Sequence, residues 1–169
     1  MKIVTKSIPR PFYRKIYRLL PIFCVDAVVM DGRGRFLLTR RTNKPMRGAW
    51  WFPGGRVLKN ESARRAVLRK LREETGLSGQ IIRELGFYNL IVPDGYFSGT
   101  NTHTPIVVFL VKVRPGSVPM LNQQHNAARW FTRIDPHFHP YPKQFLRKAG
   151  FRMAPHSRRL QRNGSVGIT

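Results

Sequence analysis

The sequence of 169 residues contains a single cysteine, Cys24, and only eight acidic residues. One cysteine excludes an intramolecular disulfide framework and a cysteine-rich zinc site. The longest apolar runs, such as residues 105–111, are too short to span a bilayer. Because 41% of the residues are apolar, the chain can bury a core, which argues against a wholly disordered protein. The length suits one domain, with or without a tail.

Against the eight acids stand 31 lysines and arginines, which give a formal net charge of +23. Residues 1–20 and 136–169 contain basic residues and no acids, so every acid lies in the central part of the chain. This surplus predicts an anionic partner, such as a nucleotide, a nucleic acid or an acidic surface. Three acids, Glu61, Glu73 and Glu74, lie close together. Their clustering indicates either metal binding or ion pairing with nearby arginines.

The pattern of apolar residues predicts an α/β (α+β) protein. The predicted helices are residues 12–20, 61–75 and 143–149. The predicted strands are residues 22–30, 35–40, 87–91, 105–113 and 128–131. The strand 105–113 is almost continuously apolar and is expected to be central. Residues 43–56 are rich in proline and glycine and are predicted to form a loop. Asp26 lies in a buried strand, so it should meet an arginine or a polar site, because a buried unpaired carboxylate is costly.

The first predicted helix is basic and amphipathic. Such a helix is also typical of a targeting peptide, or of a helix that docks on a lipid surface or a partner. Core-like sequence follows Pro21 at once and leaves no cleavable spacer. We therefore expect a cytoplasmic protein with a basic N-terminal arm (1–21), a central domain (22–135) and a basic C-terminal extension (136–169).

The most informative segment is residues 54–77, GGRVLKNESARRAVLRKLREETGL. Its two glycines allow an unusual turn whose carbonyl can face a cation. The helix that follows ends in adjacent carboxylates, which suit Mg²⁺ that also binds a diphosphate. Four of its residues follow one another at i+4 and can instead form ion pairs that solubilise the helix: Glu61, Arg65, Arg69 and Glu73.

This segment resembles the motif of the Nudix hydrolase family, G-x5-E-x7-R-E-U-x-E-E-x-G-U, in which U is a bulky aliphatic residue. Every fixed position matches except one, because Lys70 stands where the family has glutamate. In many Nudix enzymes that glutamate binds metal or assists the attacking water. The resemblance implies the Nudix fold, a mixed β-sheet sandwiched between helices.

Three further segments look like the GDP-mannose mannosyl hydrolases, a Nudix branch whose motif is also degraded in its acidic half. These segments are residues 40–57, residues 97–100, and Gln124-His125 with Arg129-Trp130. In that branch, water attacks the anomeric carbon of the sugar with inversion, and the products are GDP and a free hexose. The resemblance therefore implies a homodimeric hydrolase of GDP-mannose or GDP-glucose that depends on Mg²⁺, with Mn²⁺ as the alternative ion.

The resemblance also implies the roles of individual residues. The implied catalytic residues are His125, Arg41, Arg56, Asp26 and Arg69, of which Arg41, Arg56 and Asp26 also bind substrate. His125 matches the general base, and a neutral imidazole suits that role near neutral pH. The implied metal ligands are the Gly54 carbonyl, Glu74 and Gln124, with Glu73 as a further candidate. If His125 is the base, the glutamate missing at Lys70 is not needed.

Two other functions stay open beside the nucleotide-sugar hydrolase. The presence of Glu73 beside Glu74 favours a conventional Nudix pyrophosphohydrolase, in which water attacks phosphorus. The two acid-free ends favour a Nudix-like protein that binds nucleic acid and has weak catalysis. Such binding would weaken steeply with salt.

Overall fold

The computed structural model describes residues 1–5, 7–121 and 125–155. No helix in this part of the chain is long and apolar enough to cross a membrane. The elements, in chain order, are α1 (Arg10–Leu19), β1 (Cys24–Met30), β2 (Phe36–Arg41), β3 (Trp50–Trp51), β4 (Gly54–Arg56), α2 (Ala63–Thr75), β5 (Gly79–Val92), β6 (Thr102–Val113), β7 (His125–Phe131) and α3 (Pro140–Lys148).

The strands form one mixed sheet in the order β3-β2-β1-β6-β5, in which β4 also pairs with β1 and β7 with β2. Strands β1 and β6 run parallel, and the other pairs are antiparallel. Strand β6 was expected to be central, and it is hydrogen-bonded to β1 on one side and β5 on the other. Its continuous apolar sequence fits this position, because both of its faces are covered.

Helices cover both faces of the sheet. Successive residues of a strand point to opposite faces. Val28 and Leu38 belong to a buried cluster that includes residues of α3, whereas Val29 and Leu37 belong to a second cluster that includes residues of α2. The sheet therefore lies between α2 and α3, and the predicted mixed sheet between helices is confirmed.

Helix α2 has strong signals at both ends. The Ser62 side chain accepts a hydrogen bond from the Arg65 N–H, and Gly76 adopts a φ of 67° that favours glycine at the C-terminal cap. Gly76 was predicted to end this helix, and it does. The helix begins two residues later than predicted, because Ser62 lies outside it and Glu61 accepts a hydrogen bond from the Leu58 N–H instead.

Helix α1 uses an unexpected face. None of its ten residues is buried, and the side chains of Phe12 and Leu19, part of the predicted apolar stripe, are 61% and 79% exposed. The Tyr17 hydroxyl shares a hydrogen bond of 2.7 Å with Thr102 Oγ1 on β6. The helix therefore contacts the sheet through a tyrosine rather than through these two apolar residues.

Two regions differ from the sequence prediction. The predicted loop 43–56 contains two short strands, because β3 pairs with β2 and β4 pairs with β1. Proline and glycine interrupt the alternation by which strands are recognised, so these strands were missed. Strand β5 is much longer than the predicted 87–91. Register shifts next to Arg83 and Gly86 break the alternation of apolar and polar residues, so the first half of β5 was not predicted.

Helix α3 begins three residues earlier than predicted. Its side chains Tyr141, Phe145 and Leu146 are fully buried in the same cluster as Phe36 and Ile134. Residues 140–148 fall within the stretch that the sequence analysis set apart as a C-terminal extension. In the structure they pack against one face of the sheet.

Replacing a buried residue of α3 tests this packing. We expect Phe145→Ala to lower the free energy of unfolding by about 3–5 kcal/mol, because loss of a fully buried ring leaves a cavity. Urea denaturation followed by circular dichroism measures the change. Phe12→Ala is the control, since this exposed ring should contribute less than about 0.5 kcal/mol. Equal effects of the two substitutions would contradict the position of α3.

Candidate active site

A pocket of about 650 Å³ opens beside β1 and β4 and is bordered by α1 and α2. Its size falls in the range of small-molecule sites, roughly 300–1,000 Å³. Its charged lining consists of Asp26, Arg41, Lys44, Arg56, Lys70 and Glu74. Its aromatic lining consists of Tyr13, Tyr17, Trp51, Phe52 and Tyr96. Cations outnumber acids in this lining, so the pocket suits an anionic ligand with an aromatic or apolar part.

Asp26 is a buried acid in the pocket wall. It lies on β1, is 5% exposed, and its Oδ2 accepts a hydrogen bond of 2.7 Å from the Tyr141 hydroxyl on α3. Burial raises the pKa of Asp26 to about 7, although the Tyr141 hydrogen bond and the charge of Arg41 act in the opposite direction. A carboxyl that titrates near neutrality can accept or donate a proton there.

Gly54 allows β4 to approach this acid closely. It pairs with Asp26 across the two strands, and a Cβ at Gly54 would collide with the Asp26 carboxylate and the Val25 carbonyl. Its N–H donates a hydrogen bond of 3.0 Å to Glu74 Oε2. Only glycine fits here, and its backbone joins β4 to the buried end of α2.

Arg41 and Arg56 line the same pocket from different strands. At the end of β2, Arg41 Nε donates a hydrogen bond of 2.9 Å to the Pro45 carbonyl. Burial lowers the pKa of Arg41, and the nearby carboxylates of Asp26 and Glu74 offset part of this decrease. The Arg56 guanidinium lies 5.0 Å from the centre of the Tyr13 ring, in cation–π contact with α1. The two arginines that the resemblance implies as substrate-binding residues thus share one pocket.

Arg69 lies behind the pocket rather than in its lining. Its guanidinium pairs with Glu61 at 2.7 Å and with Glu73 at 3.0 Å, and donates a hydrogen bond of 3.1 Å to the Arg56 carbonyl. Its hydrogen bonds lower the pKa of Glu61. Neither Arg69 nor Glu73 is among the lining residues of the pocket. In this position Arg69 holds α2 against β4.

Lys70 contacts both of the adjacent carboxylates at the end of α2. Its Nζ lies 2.8 Å from Glu74 Oε1 and 3.3 Å from Glu73 Oε2, and its side chain is 12% exposed. Gly55, which has a φ of 148°, lies next to the lysine side chain. Glu74, an implied metal ligand, and Glu73, the further candidate, therefore share one ammonium group.

The last two predicted site residues are Gln124 and His125, and His125 is the first residue of β7. Gln124 lies outside the described residues. The backbone of His125 pairs with Arg41 of β2, next to a register shift between Arg40 and Arg41. Strand pairing thus brings the backbone of His125 beside a pocket arginine that is distant in sequence.

The model of the NUDIX domain matches residues 21–149 of the sequence. This chain belongs to the Nudix hydrolase family. The matched region includes α3, whose Tyr141 contacts Asp26, and it begins after α1.

Individual relatives agree with this assignment. The low-salt glycan biosynthesis protein Agl8 of Haloferax volcanii is 31% identical, over 84% of this chain and 90% of its own length. The ADP-ribose pyrophosphatase of Methanocaldococcus jannaschii is 34% identical, over 69% of this chain and 67% of its own. The crystal structure of the MutT protein from Methanosarcina mazei Go1 is 26% identical with a TM-score of 0.61, and the match covers 76% of this chain and 92% of that one. The predicted Nudix family and fold are confirmed, while the GDP-mannose branch stays a prediction.

Nudix hydrolases generally use a divalent metal ion such as Mg²⁺, so the predicted ligands can be compared with the geometry. Within residues 1–5, 7–121 and 125–155, no group of three or more His, Cys, Asp or Glu side chains could hold a metal ion. A divalent ion between Glu73 and Glu74 would also lie within a few ångströms of the Lys70 ammonium, and like charges at such distances repel strongly. The described residues therefore do not fit a divalent cation at the Glu73–Glu74 pair.

The contact between Tyr141 and Asp26 was not predicted from the sequence. A signal was present, because Tyr141 and Phe145 are four residues apart and share one face of a helix. The predicted surroundings of Asp26 were an arginine or a polar site, and both are present, because the Tyr141 hydroxyl donates a hydrogen bond and the charge of Arg41 lies nearby. Residues separated by 115 positions give no local pattern that connects them.

The pKa of Asp26 can be measured by carboxyl NMR on metal-free protein. We expect a titration midpoint near 7. Since the folded protein holds this proton to a higher pH than the unfolded chain does, the free energy of unfolding should fall as pH rises from about 4 to about 7. It should level off above that range, and Asp26→Asn should remove this contribution.

Tyr141→Phe is the matched control for this titration. It keeps the ring and removes the hydroxyl that stabilises the charged carboxylate, so the midpoint should move to higher pH. A wild-type midpoint below about 5 would contradict the burial of the carboxyl.

Proposed function

We propose that this Nudix hydrolase cleaves a nucleotide sugar to a nucleoside diphosphate and a free hexose, with GDP-mannose and GDP-glucose as the first substrates to test. One observation carries the proposal. Asp26, Arg41 and Arg56 line a single pocket, and the backbone of His125 pairs with Arg41. These residues come from four strands and are four of those implied by the resemblance to the GDP-mannose mannosyl hydrolases. Similarity to a glycan biosynthesis protein supports a substrate that contains a sugar.

The lining of the pocket suits the parts of such a substrate. Arginine guanidinium groups match phosphate oxygens in geometry and charge, so Arg41 and Arg56 bind the diphosphate. The tyrosines on the α1 side of the pocket offer aromatic faces and edges, on which a nucleobase stacks. Tyr13 and Tyr96 are close neighbours there, with ring centres 6.4 Å apart.

In the proposed reaction, an imidazole nitrogen of His125 takes a proton from water as the water oxygen bonds to the anomeric carbon. The bond from that carbon to the oxygen of the β-phosphate breaks, and its electron pair stays on the departing GDP. Arg41 and Arg56 stabilise the charge that develops on GDP. Asp26 binds a substrate hydroxyl. None of these steps is assigned to the predicted Mg²⁺, because the described residues do not fit it at the Glu73–Glu74 pair.

Product analysis tests the bond that is cleaved. The purified protein is incubated with GDP-mannose in ¹⁸O-labelled water, and the products are identified by mass spectrometry. We expect GDP and a hexose that carries the label, because water attacks carbon. Appearance of GMP and hexose 1-phosphate, with the label in a phosphate, would overturn the proposal.

Three variants test the assigned roles. We expect His125→Gln to lower kcat by about 10²- to 10⁴-fold through loss of the general base. Arg41→Gln and Arg56→Gln should each lower it by about 10²- to 10³-fold through loss of charge stabilisation. Arg40→Gln is the control, since this neighbouring exposed arginine donates to the Gly48 carbonyl and does not line the pocket. If Arg40→Gln and Arg41→Gln lower kcat equally, the assignment of Arg41 is wrong.

A conventional pyrophosphohydrolase is the second candidate. Similarity to the ADP-ribose pyrophosphatase of Methanocaldococcus jannaschii favours it. Water would then attack phosphorus, and the label would enter a phosphate. His125→Gln would have little effect on kcat in that case, so the same two experiments separate the candidates.

The homodimer, the cytoplasmic location and nucleic-acid binding through the basic ends stay predictions. Residues 156–169 contain three arginines and no acid. A test of nucleic-acid binding should remove only these residues, because α3 belongs to the core and its loss would unfold the domain. Unchanged affinity for RNA and DNA would exclude this segment as the binding site.

A further inference from the structure

Lys70 departs from the Nudix motif, and the structure gives this departure a physical meaning. The lysine stands where the family has glutamate, and its ammonium contacts the two carboxylates that end α2. We propose that Lys70 is a built-in cation that takes the place of a divalent metal ion at the Glu73–Glu74 pair and presents a fixed positive charge to phosphate groups in the pocket. The proposal does not depend on whether the substrate is a nucleotide sugar.

The surroundings of Lys70 hold its side chain in place. A Cβ added at Gly55 would lie 2.8 Å from Lys70 Cε and 3.5 Å from Nζ, so the absence of a side chain at Gly55 makes room for the lysine. Glu74 is 2% exposed, and its other oxygen, Oε2, accepts the Gly54 N–H. The Lys70 ammonium therefore contacts a buried acceptor, Glu74, that is itself hydrogen-bonded to β4. The ammonium of a solvent-exposed lysine has no such fixed acceptor.

The charges around α2 are already paired. Glu61 and Glu73 bind Arg69, and Glu73 and Glu74 bind Lys70. Burial raises the pKa of Glu73, yet the hydrogen bond from Arg69 and the charge of Lys70 lower it overall. Each acid of the cluster is thus paired with a cation of α2, which weakens its attraction for a further cation.

Lys70 can also reach a ligand. It lines the pocket together with Arg41 and Arg56. An ammonium group has three hydrogens to donate. Among the described residues, the Glu73 and Glu74 carboxylates are the acceptors that contact it, so one hydrogen can be donated to a phosphate oxygen. A diphosphate in the pocket would then meet three fixed cations without a metal ion.

Binding of Mn²⁺ alone, followed by electron paramagnetic resonance, tests the first half of the proposal. We expect Lys70→Met to bind Mn²⁺ about tenfold or more tightly than the wild type, because removal of the ammonium frees the carboxylates for a metal ion. Lys70→Arg should bind as weakly as the wild type, since it keeps the charge. Lys59→Met, at an exposed lysine, should match the wild type. Equal affinities of wild type and Lys70→Met, whether both tight or both weak, would overturn the proposal.

Binding of inorganic pyrophosphate in the presence of EDTA, measured by calorimetry, tests the second half. The wild type should bind pyrophosphate without a metal ion, and Lys70→Met should bind it about tenfold more weakly through loss of one charge-assisted hydrogen bond. If the wild type binds pyrophosphate only when Mg²⁺ is added, Lys70 does not replace the metal. This wild-type result decides the question even if Lys70→Met fails to fold. Neither probe contains a sugar or a base, so failure here is distinct from failure to cleave GDP-mannose.

Discussion

Strand β1 is hydrogen-bonded to three other strands, and the pocket depends on this arrangement. Strand β6 runs along one edge of β1. On the antiparallel side, β4 pairs with Cys24 to Asp26, and β2 pairs with Val29 and Met30. Because β1 changes partner between these positions, β4 and β2 separate beside Asp26. Arg41 of β2 and Arg56 of β4 line the pocket that opens there.

This arrangement buries two acids in a protein with a large excess of positive charge. Asp26 and Glu74 are 5% and 2% exposed. A buried carboxylate without partners costs several kcal/mol, so each needs a specific donor. Asp26 receives the Tyr141 hydroxyl from α3, and Glu74 receives the Lys70 ammonium and a backbone N–H. Helix α3 therefore matters for the electrostatics of the pocket as well as for the packing of the sheet.

Much of this could be predicted from local sequence. The end of α2 at Gly76 and the central position of β6 follow from local signals, a helix cap and an apolar run. The shared site of Arg41 and Arg56 was implied by the resemblance to the GDP-mannose mannosyl hydrolases, and both residues line the pocket. The face of α1 that meets the sheet could not be predicted. Helical spacing shows which residues share a face of the helix. It does not show which face meets the sheet, because this depends on the hydrogen bond between Tyr17 and Thr102 of β6.

The ion pairs of Lys70 with Glu73 and Glu74 were also not predicted, but for a different reason. The Nudix motif has a glutamate at this position, so the lysine was interpreted as a missing acid and not as a partner of the acids beside it. The three residues lie within one helical turn, so their ion pairs follow directly from i+3 and i+4 spacing.

Helix α1 makes part of the pocket independent of the Nudix motif. It forms one wall of the pocket through Tyr13 and Tyr17, yet the region that matches the Nudix domain begins at residue 21. Two proteins with the same motif can therefore differ in this wall of the pocket. A change in α1 therefore alters the shape of the pocket and leaves the residues of the motif unchanged.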